Sequence, residues 1–123
     1  NQRNFASLRA LRMSTFKAAL SVCGLSQADA AEFLQVALPT IKSWCSDSNP
    51  KAPPLGVWKQ LASLFEQIQD AADGAADIMD LEGIDPRSFN NLEADLVGDP
   101  LPIAGAMEAA GAMALLMAVA DFG

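Results

Sequence analysis

The sequence predicts an all-α protein, and two features support that prediction. Apolar residues recur at spacings of three and four in several segments, as they do along one face of a helix. Stretches rich in turn-forming residues separate those segments. The chain has 123 residues, of which 51% are hydrophobic and 19% charged, so its composition suits one folded domain, or one small domain with an appendage.

Residues 26–44 are predicted to form two short helices separated by a tight turn. The first helix covers residues 27–34, and its inner face consists of Ala30, Ala31, Phe33 and Leu34. Residues 35–37 make the turn. The second helix starts at Leu38 and carries Pro39 in its first turn, where a missing N–H costs nothing. Ile41 and Trp44 face inward at helical spacing, which turns the remaining side chains outward.

Six positions of this segment match a known motif: Gln27, Ala31, Leu34, Val36, Ile41 and Trp44. The run VALPTIKSW is also similar to the motif's V-S-x-x-T-I-x-x-W. On these residues, about 13–69 of the chain resembles the helix-turn-helix of the Cro and phage-repressor (XRE-type) family. The resemblance implies a helix-turn-helix bundle, here with additional C-terminal helices.

Two residues depart from that family's pattern. Gln35 stands where the family usually has glycine, because the turn tends to need a positive φ; a glutamine there is expected to be strained. Ala37 stands where the family favours a Ser or Thr cap for the second helix.

The resemblance implies a sequence-specific transcriptional regulator that binds double-stranded DNA. Its recognition helix, about residues 38–46, would enter the major groove of a palindromic operator. Gln27 would donate to a phosphate, Leu38 and Pro39 would contact thymine methyl groups, and Lys42 and Ser43 would bond base edges or phosphates. The expected DNA-binding residues are Gln27, Leu38, Pro39, Thr40, Lys42, Ser43, Asn49 and Lys51. For each lysine, simple solvent exposure is the alternative interpretation.

The charge distribution favours a nucleic-acid partner for the first half only. The formal net charge is −7. Residues 1–59 carry seven basic side chains and three acidic ones, a net charge of +4. Residues 60–123 carry one basic side chain and twelve acidic ones, a net charge of −11. The chain therefore has a basic half, which contains the motif, and an acidic half.

The motif is expected to lie in a domain covering residues 13–82, preceded by an N-terminal extension at 1–12. A first helix is predicted from Ser14 to Cys23, capped by Ser14 or Thr15 and ended by Gly24. After Pro54 a long amphipathic helix follows, which Gly74 is expected to kink or end. Its inner positions are Val57, Leu61, Leu64, Phe65, Ile68, Ala72, Ala75 and Met79.

The opposite face of the long helix carries an acidic stripe. The stripe consists of Glu66, Asp70, Asp73, Asp77 and Asp80. Two interpretations stay open, a solvated helix face and a docking surface for a partner such as RNA polymerase. Metal binding is disfavoured, because carboxylates on consecutive helical turns point outward and do not converge on one ion.

Residues 83–123 are predicted to form a C-terminal helical region that mediates dimerisation or completes the core. A turn at 83–86, a short helix capped by Ser88 and a break at 98–100 precede a final helix at 102–120. This helix is apolar almost all round, so we expect it to bury most of its surface. A core helix and a contact in a homodimer are both consistent with it. A membrane span is disfavoured, since Glu108 lies inside and alanine and glycine contribute little insertion energy.

Catalysis is not expected from this composition. The chain has no histidine and no tyrosine, no phosphate-binding loop and no Cys/His cluster, so we expect neither metal nor cofactor. Cys23 and Cys45 are expected to be small buried residues in a reduced cytoplasm. The alternative function is a helix-turn-helix adaptor, antitoxin-like or polymerase-binding, that uses the acidic half without contacting DNA.

Overall fold

Five α-helices run through the residues that the structure, a computed structural model, describes: 14–47, 51–81 and 101–121. Their bounds are α1 Thr15–Val22, α2 Gln27–Leu34, α3 Leu38–Trp44, α4 Leu55–Leu81 and α5 Ala104–Asp121. No strand occurs in those ranges, and the all-α prediction is confirmed. The predicted N-terminal extension, the turn at 83–86 and the short helix after Ser88 lie outside the described residues.

The starts of α1 and α2 follow local capping rules. The Ser14 hydroxyl accepts from the Lys17 N–H at 3.2 Å, which satisfies one free donor of α1. Ser26 and Asp29 form a reciprocal capping box on α2, with distances of 3.0 Å and 3.3 Å. Gly24, at φ 73°, ends α1 in the left-handed region, where glycine has no steric penalty. The predicted cap of α1 at Ser14 and the predicted stop at Gly24 are therefore confirmed.

The turn between α2 and α3 is held in the strained conformation that the sequence predicts. Gln35 has φ 55° and ψ 48°, and within the described ranges it is the only non-glycine residue with positive φ. Its conformation lets the Val36 N–H donate to the Ala31 carbonyl at 3.0 Å, which closes the C-terminus of α2. Ala37 starts α3 without a side-chain cap, as expected.

Helix α4 spans 27 residues and is about 40 Å long. It runs through Gly74 without ending, so the expectation of a helix end there is wrong. A glycine inside a helix costs about 1 kcal/mol, which packing of the neighbouring positions can offset. The buried residues of α4 are Leu61, Leu64, Ile68, Ala71, Ala72, Ala75 and Met79. The whole acidic stripe is exposed.

The main core lies where α1, α2 and α3 pack on the first half of α4 and the start of α5. Phe16 is its centre, with edge-to-face contacts to Trp44 at 5.4 Å and Trp58 at 5.6 Å between ring centroids. Cys23 and Cys45 are buried free thiols in this core, and burial raises the pKa of both. The prediction that they act as small buried residues is confirmed.

A second, smaller core continues between α4 and α5 alone. It contains Ala72, Ala75, Met79 and Ala114. Along α4, the residues of the main core end at Ala71 and those of the second core start at Ala72. Along α5, Ala106 and Ala110 of the main core likewise precede Ala114 of the second, so contacts follow the same order along both helices. Helices α4 and α5 are therefore parallel, and their C-terminal halves extend beyond the body formed by α1–α3.

Helix α5 is anchored at its start by a backbone contact with the α1–α2 turn. Gly24 and Gly105 lie so close that a Cβ on either residue would collide with the other's carbonyl. Farther along, α5 buries only Ala106, Ala110, Gly111 and Ala114, which is 22% of its residues. Met113 and Met117 are partly buried against the same cores, whereas 70% of Leu116 is exposed, so α4 covers only part of α5. The expectation that α5 buries most of its surface, within the chain or in a homodimer, stays a prediction.

Candidate nucleic-acid interface

Helix α3 separates its inner and outer residues clearly. Ile41 and Trp44 are buried, whereas Leu38, Pro39 and Lys42 are exposed. Thr40 and Ser43 are half-buried at the margin of the outer face. Sequence reasoning thus assigned the two sides of this helix correctly, and an exposed outer face flanked by hydroxyl groups is available to a ligand.

The helix is shorter than expected at its C-terminal end. We predicted a recognition helix over about residues 38–46, but α3 ends at Trp44, with Cys45 as its cap. The Cys45 N–H donates to the Ile41 carbonyl at 3.0 Å, and the chain then leaves the helical path.

The other predicted site residues flank α3. Gln27 is the first residue of α2 and is half-buried. Lys51 is exposed, and its backbone N–H donates to the Ser43 carbonyl at 3.5 Å, so the segment that follows α3 returns to its C-terminal turn. Asn49 lies outside the described residues.

A hydrogen-bond network that sequence reasoning missed ties the C-terminus of α3 to the start of α1. The buried Ser14 hydroxyl donates to the Trp44 carbonyl at 2.7 Å. One Asp47 carboxylate oxygen accepts from the Ser14 N–H at 3.2 Å, and the other pairs with the Lys17 ammonium at 3.3 Å. These bonds satisfy a free carbonyl of α3 and fix its direction relative to α1.

This network also affects the charged groups of Asp47 and Lys17. The Ser14 N–H and the Lys17 ammonium, in that order, hold the pKa of Asp47 below its ordinary value. The charge of Lys17 is partly balanced by this carboxylate within the chain. Lys42, Lys51 and Lys59 form no ion pair with any residue the structure describes, so their charges face solvent.

The interface offers binding groups rather than reactive ones. In the described parts of the chain, no three carboxylates or thiols converge as a metal site would require. Comparison with protein-family models, with characterised proteins and with solved structures gave no match.

Proposed function

We propose that this protein is a sequence-specific DNA-binding regulator that inserts α3 into the major groove. The observation that supports the proposal is the two-sided character of α3. Ile41 and Trp44 fix the helix to the core, while Leu38, Pro39 and Lys42 are exposed together on its outer side. A helix of this size fits the major groove of B-DNA, which is about 12 Å wide.

Each outer side chain has a matching chemical group on DNA. The Lys42 ammonium can donate to guanine O6 and N7, and Leu38 and Pro39 can contact thymine methyl groups. Thr40 and Ser43 can donate or accept at either kind of base edge. Lys51 and Gln27, which flank α3, suit phosphate oxygens, whose contacts fix position without selecting sequence.

The electrostatic contribution is modest. Lys42, Lys51 and Lys59 are the unpaired cations of the described residues. If all three neutralise phosphates, the logarithm of the binding constant should fall with the logarithm of salt concentration with a slope of about −2.7. Beyond these three cations, base contacts made by α3 would contribute specific affinity.

The proposal is tested by selecting binding sites from a pool of random duplexes. A few duplexes should be enriched by the wild-type protein, and Leu38→Ala/Lys42→Ala, which changes only exposed side chains, should lose the enrichment. Glu66→Gln, an exposed change on α4, is the control and should select the same duplexes. A folded wild-type protein that enriches no sequence at low salt would overturn the proposal.

A second candidate is a protein-binding adaptor, favoured by the acidic stripe of α4. All five carboxylates of that stripe are exposed, as a docking surface for a basic partner requires. Retention on DNA-cellulose with elution by salt would support the DNA-binding regulator. Passage through the same column at low salt would favour the adaptor.

A further inference from the structure

One side of α5 carries an apolar series at heptad spacing. Its members are Gly105, Ala109, Ala112, Leu116 and Val119, separated by four, three, four and three residues. The first is covered by Gly24, and Ala109 is half-buried. Ala112 is exposed, as are 70% of Leu116 and 43% of Val119. Within the described ranges, the last three positions therefore lack the cover that the first one has.

We propose that a second copy of this chain covers the series by packing its α5 antiparallel against it. Side-chain size along the series supports this arrangement. Small residues occupy the N-terminal part and larger ones the C-terminal part, so an antiparallel copy opposes Ala112 to Leu116 and Ala109 to Val119 of the second copy. Each layer then combines one small and one large side chain, and the face is self-complementary, as a two-fold interface must be.

The size of the face predicts a weak dimer. Helix α5 has 18 residues and is about 27 Å long, and packed helices lie about 10 Å apart. A footprint of about 270 Å² per copy is smaller than the roughly 800 Å² per partner of a standard stable interface. The dimer should therefore form at micromolar rather than nanomolar concentration.

The same pairing bears on DNA binding, and this step rests on the proposed function. The pairing is centred level with residue 114, so the two Gly105 residues lie about 27 Å apart along the helices. Because Gly105 contacts the α1–α2 turn, two helix-turn-helix bodies would lie at opposite ends of the paired helices. Their separation is of the same order as the ~34 Å between half-sites one turn of DNA apart.

The test is the mass of the full chain without DNA, measured by light scattering. Concentrations from about 1 to about 200 µM cover the dissociation constants of weak interfaces. The wild type should pass from monomer to dimer. Leu116→Glu should raise the dissociation constant at least about tenfold, because it buries an unpaired charge. Leu55→Glu is the matched control, since Leu55 is 68% exposed on α4, and it should dimerise normally. A monomer throughout, or equal effects of both variants, would overturn the proposal.

The direction is tested with a spin label on Ala104→Cys, an exposed position at the start of α5. Both native cysteines are buried, so the label should select the new thiol. Pulsed EPR should give about 30 Å between labels for the antiparallel pair. A distance near 10 Å would be that of parallel helices in contact and would overturn the antiparallel assignment.

A lipid surface is the competing occupant. By length and composition α5 could cross a membrane, with a mean hydropathy of 1.3 over 18 residues. Sedimentation with phosphatidylcholine vesicles separates the two. Failure to sediment with vesicles, together with dimerisation, supports a second copy. Sedimentation of a chain that stays monomeric without vesicles would assign the series to lipid. Neither measurement depends on DNA, so failure of the dimer is distinguishable from failure of the proposed function.

Discussion

The Ser14 hydroxyl donates a hydrogen bond to the Trp44 carbonyl across 30 positions of sequence, at 2.7 Å. The same oxygen accepts the Lys17 N–H, so one buried side chain caps the start of α1 and the end of α3 together. The orientation of the proposed recognition helix is thereby coupled to α1.

Ser14→Ala should destabilise the protein by about 1–3 kcal/mol, because it removes a helix cap and leaves a buried carbonyl unpaired. Urea denaturation followed by circular dichroism measures the change. The control is Ser21→Ala, whose exposed hydroxyl donates to the Lys17 carbonyl at 3.4 Å, and whose effect should stay within about 0.5 kcal/mol. Equal effects of the two variants would show that the buried bond contributes nothing special.

Stability should fall in acid through Asp47. Its folded-state pKa is lowered, first by the Ser14 N–H and then by Lys17. The stabilisation is therefore complete above the unfolded value of about 3.9 and is lost as pH falls through the folded value. Denaturation midpoints between neutral pH and pH about 2 should show this loss in the wild type but not in Asp47→Asn. Lys17→Gln should show a smaller loss of stability in acid than the wild type, since the hydrogen bond from the Ser14 N–H to Asp47 remains.

Gly105→Ala should destabilise the docking of α5. A Cβ at this position would collide with the Gly24 carbonyl, and forcing backbones apart in a packed region costs about 1–3 kcal/mol. Thermal unfolding measures the loss. Gly56→Ala is the control, because open space surrounds a Cβ there; it should be neutral or stabilising by up to about 1 kcal/mol. A neutral Gly105→Ala would contradict the close approach.

Gln35→Gly should stabilise the protein by up to about 1 kcal/mol, since glycine adopts positive φ without steric cost. The matched control is Gln67→Gly at an exposed position inside α4, where the same change should cost about 1 kcal/mol. Chemical denaturation of both variants compares the signs. Destabilisation by Gln35→Gly would mean that its side chain contributes more than its backbone strain costs.

Two lysines should affect DNA binding differently if α3 contacts bases. Lys42→Ala should cost about 1–3 kcal/mol and relax preference at one base position. Lys51→Ala should weaken all duplexes alike and reduce the salt slope by about one. Fluorescence anisotropy on selected and scrambled duplexes distinguishes these outcomes. An unchanged preference in a folded Lys42→Ala would exclude a base contact by Lys42.

The parts of the fold that could be predicted from sequence are those fixed by neighbours in the chain. Ser14 directly precedes the first turn of α1, and the inner positions Ile41 and Trp44 follow the helical period, so local rules identified both. The contacts of Ser14 with Trp44 and of Gly24 with Gly105 join distant segments, and no local pattern indicates such partners.

The apolar pattern of α5 was equally ambiguous. A helix that is apolar all round does not indicate which side its own chain covers. In the structure, the side that contains Ala106, Ala110 and Ala114 packs against α4. The roles of the outer residues of α3 in binding DNA stay predictions.

The contact between the start of α5 and the α1–α2 turn has a consequence for the order of folding. Contacts of α5 with the α1–α2 turn close a long loop, because Gly24 and Gly105 lie far apart in sequence. Such closures cost entropy before their contacts form, whereas α1, α2 and α3 are joined by short turns. The main core nevertheless includes Ala106 and Ala110. During synthesis, the body that carries α3 therefore remains incomplete until the ribosome has made the last described helix.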